Sequence, residues 1–217
     1  TGWIVTAVVL AGSTLRLINF KSMPLDPTRS DMLPLVQQAL QNFVAGREPY
    51  TLYSMPWELP LTYLPATWLT YLPAYVLGID IRYTNLAAEL AVGALLAWLC
   101  VTLRAAEDPT TNTRAMVWQY EPALLLWAWS FIQPTALHWS LSTTAPIFWL
   151  LLSLVLVLTT LRPENSAGPI VLGITLAASP LALLVLPFIA IRWYRTQGAR
   201  ALGRRLAIVV ISALILI

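Results

Sequence analysis

Apolar residues run through this chain in long stretches separated by short polar joints, with little of the alternation that marks half-buried strands. Seven stretches reach or approach the ~20 residues needed to cross a bilayer: Trp3–Phe20, Leu61–Leu77, Leu86–Leu103, Met116–Ile132, Thr144–Leu161, Ile170–Ile191 and Leu206–Ile217. Glu121-Pro122 shorten the fourth to an apolar half-helix, Ala123–Ile132. The pattern predicts an all-α, polytopic transmembrane protein of about seven spans over residues 1–217. Pro65, Pro73, Pro146, Pro180 and Pro187 fall inside these stretches and free backbone carbonyls, which is tolerated where helices line a cavity or pack on neighbours. Ser179-Pro180 can split the sixth stretch into two half-helices.

One polar interruption, residues 21–60, carries a helix signal of its own. Met32, Val36, Leu40 and Phe43 recur at helical spacing, with Leu35, Ala39 and Val44 beside them, while Gln37, Gln38, Gln41 and Asn42 fill the opposite face. Ser30 or Asp31 suits the helix start, Pro34 the first turn and Gly46 the stop. An amphipathic helix so close to two spans is expected to lie flat on the membrane surface.

Composition agrees with this picture. Hydrophobic residues make up 58% of the chain and charged residues 11%, whereas soluble domains carry about 25% charged residues. The single cysteine, Cys100, excludes a disulfide framework and a cysteine-based zinc site, and the single histidine, His138, argues against a multi-histidine metal site. No metal or cofactor is expected. The net charge of +3 comes mainly from Arg192, Arg195, Arg200, Arg204 and Arg205, read here as one short cytoplasmic loop rather than a nucleic-acid patch. Counting spans back from that loop places residues 21–60 on the extracytoplasmic side and the amino terminus inside. A start at Thr1 and an end within the apolar run 208–217 lead to the expectation of an amino-terminal part of a longer protein.

Asp31 is the leading candidate for chemistry. At the start of the interfacial helix its carboxylate could take a proton from a hydroxyl at the membrane surface; equally, it could cap the helix. Arg16, near the end of the first span, could snorkel to the interface, hold a phosphate, or pair with Asp31 or Asp26. Arg29, Arg47 and Lys21 add positive potential for an anionic headgroup. Glu58 could be a second active-site acid or an ordinary loop acid. Glu89 and Glu121, in or near spans, are functional suspects that could instead pair with an arginine. His138 sits beside Trp139 in a polar break, where an interfacial role is the simpler reading. Tyr50, Tyr53, Trp57 and Tyr63 cluster around the outer loop and could stack on a sugar ring or belong to the interfacial aromatic belt.

The order of these features resembles the GT-C superfamily of polyprenyl-phosphate-sugar-dependent glycosyltransferases: an arginine in the first span (Arg16), an acid opening the first external loop (Asp31), then an amphipathic helix (Met32–Val44). The chain looks most like bacterial polyprenyl-phosphate-mannose-type mannosyltransferases that build glycolipids such as phosphatidylinositol mannosides. Gly46-Arg47-Glu48-Pro49-Tyr50 matches their Gly-x-x-Pro-Tyr phrase, and Tyr63-Leu64-Pro65 resembles the phrase that leads into their second span. Gln133-Pro134 before the fifth stretch, Ala167-Gly168, Leu172-Gly173, Pro180 and Arg192-Trp193-Tyr194-Arg195 continue the likeness.

The resemblance implies inverting transfer of a mannose-like sugar from a polyprenyl-phosphate donor at the outer face of a bacterial inner membrane. Asp31 would be the base, with Arg16, Arg29, Arg47, Tyr50, Trp57, Glu58 and His138 around the substrates. Two departures stand out: Trp139-Ser140 where Gly-Gln is usual, and Ala178-Ser179 where a lysine often precedes the proline. They keep open a non-catalytic subunit packed among other membrane proteins. Membrane lipids are partners in either case, and nucleic acid in neither.

Overall fold

The computed structural model describes residues 2–55, 57–106, 122 and 124–216. The chain is mostly helical. Among the described residues, Trp3–Ser22 and Arg82–Leu103 are long and apolar enough to cross a membrane, and Pro134–Ser142 with Ala145–Leu161, bent by 101°, makes a third if the pair is one span. Most of the apolar length of the fourth stretch is described; Met116–Glu121 and Ala123 lie outside the described residues.

Helix α1 (Gly2–Ser22) is the first apolar stretch, slightly extended. Helix α5 (Arg82–Ala106) begins where α1 ends. Arg82 is the reason. Its guanidinium donates to the carbonyl oxygens of Phe20 (2.8 Å) and Met23 (2.7 Å), which the last turn of α1 leaves open. Asp80 holds the guanidinium in place, and the Phe20 ring stacks against it at 4.9 Å. Residues 23–81 therefore leave and rejoin the same end of the helix pair.

This corrects the reading of Leu61–Leu77 as a span. The stretch folds as three short pieces: α3 (Pro65–Trp68), a 3-10 turn (Leu69–Tyr71) and α4 (Leu72–Val76). Pro65 and Pro73 each stand in the first turn of a short helix, where a missing N–H costs least.

Helix α2 (Met32–Val44) has the expected bounds. Gly46, at φ 69°, provides the left-handed stop, and the amides of Gly46 and Arg47 bond back to Phe43 and Asn42. The apolar face behaves differently from expectation. Leu33, Val36, Ala39 and Leu40 are fully buried against Tyr53, Met55, Leu61, Trp68 and Tyr71. Protein, not lipid headgroup, covers this face, because the α3–α4 segment and a hairpin supply a larger apolar partner. That hairpin is antiparallel, β1 (Leu52–Met55) with β2 (Trp57–Pro60), in the register Tyr53↔Leu59 and Ser54↔Glu58. Alternation turns Tyr53 and Met55 into the core and leaves Leu52 and Ser54 exposed.

The second half of the chain runs back and forth. Helix α6 (124–130) leads through Phe131 into α7 (Pro134–Ser142) and α8 (Ala145–Leu161). Helix α9 (Ala167–Ala178) ends against α3, where the Thr67 hydroxyl donates to the Ala178 carbonyl at 2.5 Å. A 3-10 turn (Pro180–Leu184) then starts α10 (Leu186–Leu214), so the sixth stretch is indeed divided at Ser179-Pro180.

Helix α10 is itself broken at Gly198 (φ 80°, ψ 177°), a conformation open to glycine at little cost. The five arginines, expected in a loop, sit on two helical arms flanking this one residue. The intervening Gln, Ala and Leu are good helix formers, so a single glycine suffices for the turn. Gln197 and Arg205 both donate to the Pro163 carbonyl, tying the elbow to the joint between α8 and α9. The second arm packs back along α9, where Gly173 leaves no room for a Cβ beside the Val209 carbonyl and Ser212.

Candidate functional site

Arg16 is fully buried and does not reach Asp31 or Asp26. Its Nε donates to Glu89 Oε2 (2.7 Å) and Ser140 Oγ (3.2 Å), Nη2 to Glu89 Oε1 (3.1 Å), and Nη1 to the carbonyls of Phe131 (2.7 Å) and Gly12 (3.2 Å). The fork is bidentate on the carboxylate, and the Phe131 ring stacks at 4.6 Å. Gly12 permits this approach, since a Cβ there would collide with the Phe131 backbone. One side chain thus bolts α1, α5, α6 and α7 together. Glu89 thus takes the role of pairing with an arginine, and Arg16 pairs with it rather than with Asp31 or Asp26.

A second polar group lies one turn nearer the α2 face. Asn85, buried on α5, donates to the carbonyls of Ser140 and Thr143 (both 2.8 Å) and accepts from the Tyr71 hydroxyl (2.6 Å). The Ser30 hydroxyl donates to Ser142 O at 2.9 Å, tying the residue before Asp31 to the end of α7.

Asp31 occupies the N-cap position of α2 with φ −86° and ψ −20°, yet its side chain makes no cap hydrogen bond. Among the described residues this half-buried carboxylate has no ion pair or hydrogen-bond partner. Its chain neighbour Met32 lines a groove of about 870 Å³ between the start of α2, the 62–67 segment, the α7–α8 corner and the end of α9; Asp31 itself is not part of the wall. Met32, Tyr63, Trp139, Thr143 and Ser179 contribute to the wall, and among the described residues none of the lining side chains is charged. Burial, and second to it the charge of Asp31, push the Tyr63 hydroxyl up to about 12. A second cavity of about 370 Å³, lined by Glu89, Ser130 and Trp127, shares Trp139, Ala145 and Trp149 with the first.

The other candidates are spread over the surface layer. Arg29 is exposed and faces Asp26 at 3.9 Å. Two donors from Thr28, side chain first, hold the Asp26 carboxyl below its usual range. Arg47 is exposed just after α2. Trp57 and Glu58 are exposed on β2, Glu58 opposite Ser54. The Tyr50 hydroxyl accepts from Trp68 and donates to Tyr63 O, both at 3.2 Å, so it braces the connection between β2 and α3 that carries Tyr63. His138 is exposed on α7, its Nε2 3.4 Å from Ser142 Oγ. Glu121 lies outside the described residues. Arg82 and Asn85 were not singled out in the sequence; the Asp80-Ile81-Arg82 spacing is the one local signal that could have drawn attention to the first.

Compared with protein-family models, curated proteins and solved structures, the chain matches none.

Proposed function

We propose that the chain is a multi-pass protein of a bacterial inner membrane that transfers a mannose-like sugar from a polyprenyl-phosphate donor to a lipid or glycan acceptor at the extracytoplasmic face. In this reading the fourth stretch, to which α6 belongs, makes seven passes together with α1, α5, α8, α9 and the two arms of α10. The α2 layer lies outside and the Gly198 elbow inside. Two features support it: Arg82 joins the end of α1 to the start of α5, and the arginines gather at the opposite end from α2.

The observation that carries the enzymatic reading is the Asp31 carboxylate, unpartnered among the described residues and next in the chain to Met32, which lines a roomy, mostly apolar groove. A carboxylate without a cap bond keeps its lone pairs for a substrate hydroxyl. As the acceptor oxygen attacks the anomeric carbon, its proton passes to Asp31, the bond from that carbon to the phosphate oxygen breaks, and the configuration inverts. The polyprenyl phosphate leaves as an anion. Arg29, exposed two residues before Asp31, supplies positive potential for the departing phosphate. Arg16, engaged with Glu89, supports the scaffold instead.

The uncharged groove wall favours a second reading, a non-catalytic subunit on the same scaffold that packs against other membrane proteins. One experiment separates the two. The purified chain, reconstituted in vesicles, is given polyprenyl-phosphate mannose and a glycolipid acceptor. Transfer that disappears in Asp31→Asn supports the enzyme. Absence of transfer in the wild-type chain, with co-purifying membrane subunits, supports the scaffold.

A further inference from the structure

We infer that the elbow of α10 is a docking surface for acidic phospholipid headgroups. This inference rests on the chain being a membrane protein and is independent of any transferase activity. Around Gly198, Arg192 and Arg195 lie three apart on the first arm, and Arg200 and Arg204 four apart on the second, so each pair shares one helix face. All four are exposed. Arg205 is not part of this surface: it is buried, stacked at 5.3 Å on the Trp193 ring and bonded to Gln197 and Pro163. That inward bolt holds the two arms together and fixes the spacing of the outward four. Glu164, the nearest acid, acts on Arg205, and no ion pair between it and the four arginines occurs among the described residues. No Asp or Glu follows it in the chain.

Apolar residues continue both arms away from the elbow, with Ile189 and Ile191 on one side and Ile208, Val209 and Val210 on the other. The arginines therefore stand where a span gives way to headgroups, beside the exposed ring of Tyr194. Guanidinium groups match phosphate oxygens in a two-pronged geometry, and the headgroups of the adjacent leaflet are the phosphates within reach. The two pairs put four exposed guanidinium groups on the arms that meet at the elbow.

The test uses the full chain in phosphatidylcholine vesicles with or without phosphatidylglycerol. After extraction into detergent and washing, retained phosphatidylglycerol is counted per protein by mass spectrometry. Wild type should retain it, and retention should fall about fivefold for each arginine replaced by glutamine. The quadruple variant Arg192→Gln/Arg195→Gln/Arg200→Gln/Arg204→Gln should lose it altogether. Should that variant fail to insert, the two pair variants, one on each arm, decide by the same measure. Wild-type retention in the quadruple or pair variants overturns the inference. So does displacement of the lipid by inorganic phosphate at matched ionic strength, since that would mark a site for free phosphate.

Discussion

Two carboxylates in this molecule sit in opposite circumstances. Glu89 is inside the helix bundle, gripped by a two-pronged Arg16 and a serine hydroxyl. Asp31 is at the edge, half-buried, next in the chain to the groove-lining Met32 and without a partner among the described residues. An acid within a span is the more conspicuous in sequence and invites a functional reading. Here its surroundings answer every charge it carries. The acid at the helix start invites the bland reading of a cap, yet makes no cap bond. A satisfied charge holds a fold together, whereas an unsatisfied carboxylate keeps its lone pairs free.

The largest effect should come from breaking the satisfied pair. Arg16→Ala strands the Glu89 carboxylate and leaves the carbonyls of Gly12 and Phe131 without their donor, which should cost about 3–5 kcal/mol in an unfolding titration in detergent micelles. The double change Arg16→Met/Glu89→Leu should recover most of that, because no charge is left unpaired. Next is Gly12→Val, whose side chain would drive into the Phe131 backbone; about 1–3 kcal/mol is expected by the same titration. Ser30→Ala removes one hydrogen bond to α7 and should cost about 0.5–1.5 kcal/mol, and it should lower transfer more than stability by loosening the residue beside Asp31.

At the other side of the comparison, Asp31→Asn should shift stability by no more than about 0.5 kcal/mol, since no intramolecular bond is lost. The smallest effect belongs to the exposed Arg29–Asp26 pair, where Arg29→Gln should leave the thermal midpoint unmoved at moderate salt. Asp26 adds a pH signature. Its carboxyl titrates below the ordinary range, so its contribution is present above the unfolded value and is lost as pH falls through the lowered one. Asp26→Asn should therefore flatten only the acid side of a stability profile.

Much of this was legible in the residues. The bounds of α2 follow from its 3.6-residue period and Gly46, and α1 and α5 follow from apolar length. What covers an apolar face was not legible. The Leu61–Leu77 stretch and the inner face of α2 are hydrophobic enough for lipid, but they cover each other, and hydropathy does not distinguish a protein partner from a lipid one. The ties that decide this are long-range: Arg82 meets Phe20 across 62 positions and Arg16 meets Glu89 across 73. Local spacing offered Asp26 and Asp31 as nearer partners for Arg16. The hairpin was missed because each strand is four residues long and only one face is buried, too short for alternation to stand out.

The division of labour between the two carboxylates can be measured directly by placing Asp31→Asn and Arg16→Met/Glu89→Leu side by side in vesicles with polyprenyl-phosphate mannose and a glycolipid acceptor. The account predicts that Asp31→Asn keeps the wild-type thermal midpoint and loses transfer, while the double variant, once folded, retains it. Transfer surviving in Asp31→Asn, or vanishing in a well-folded Arg16→Met/Glu89→Leu, would contradict it.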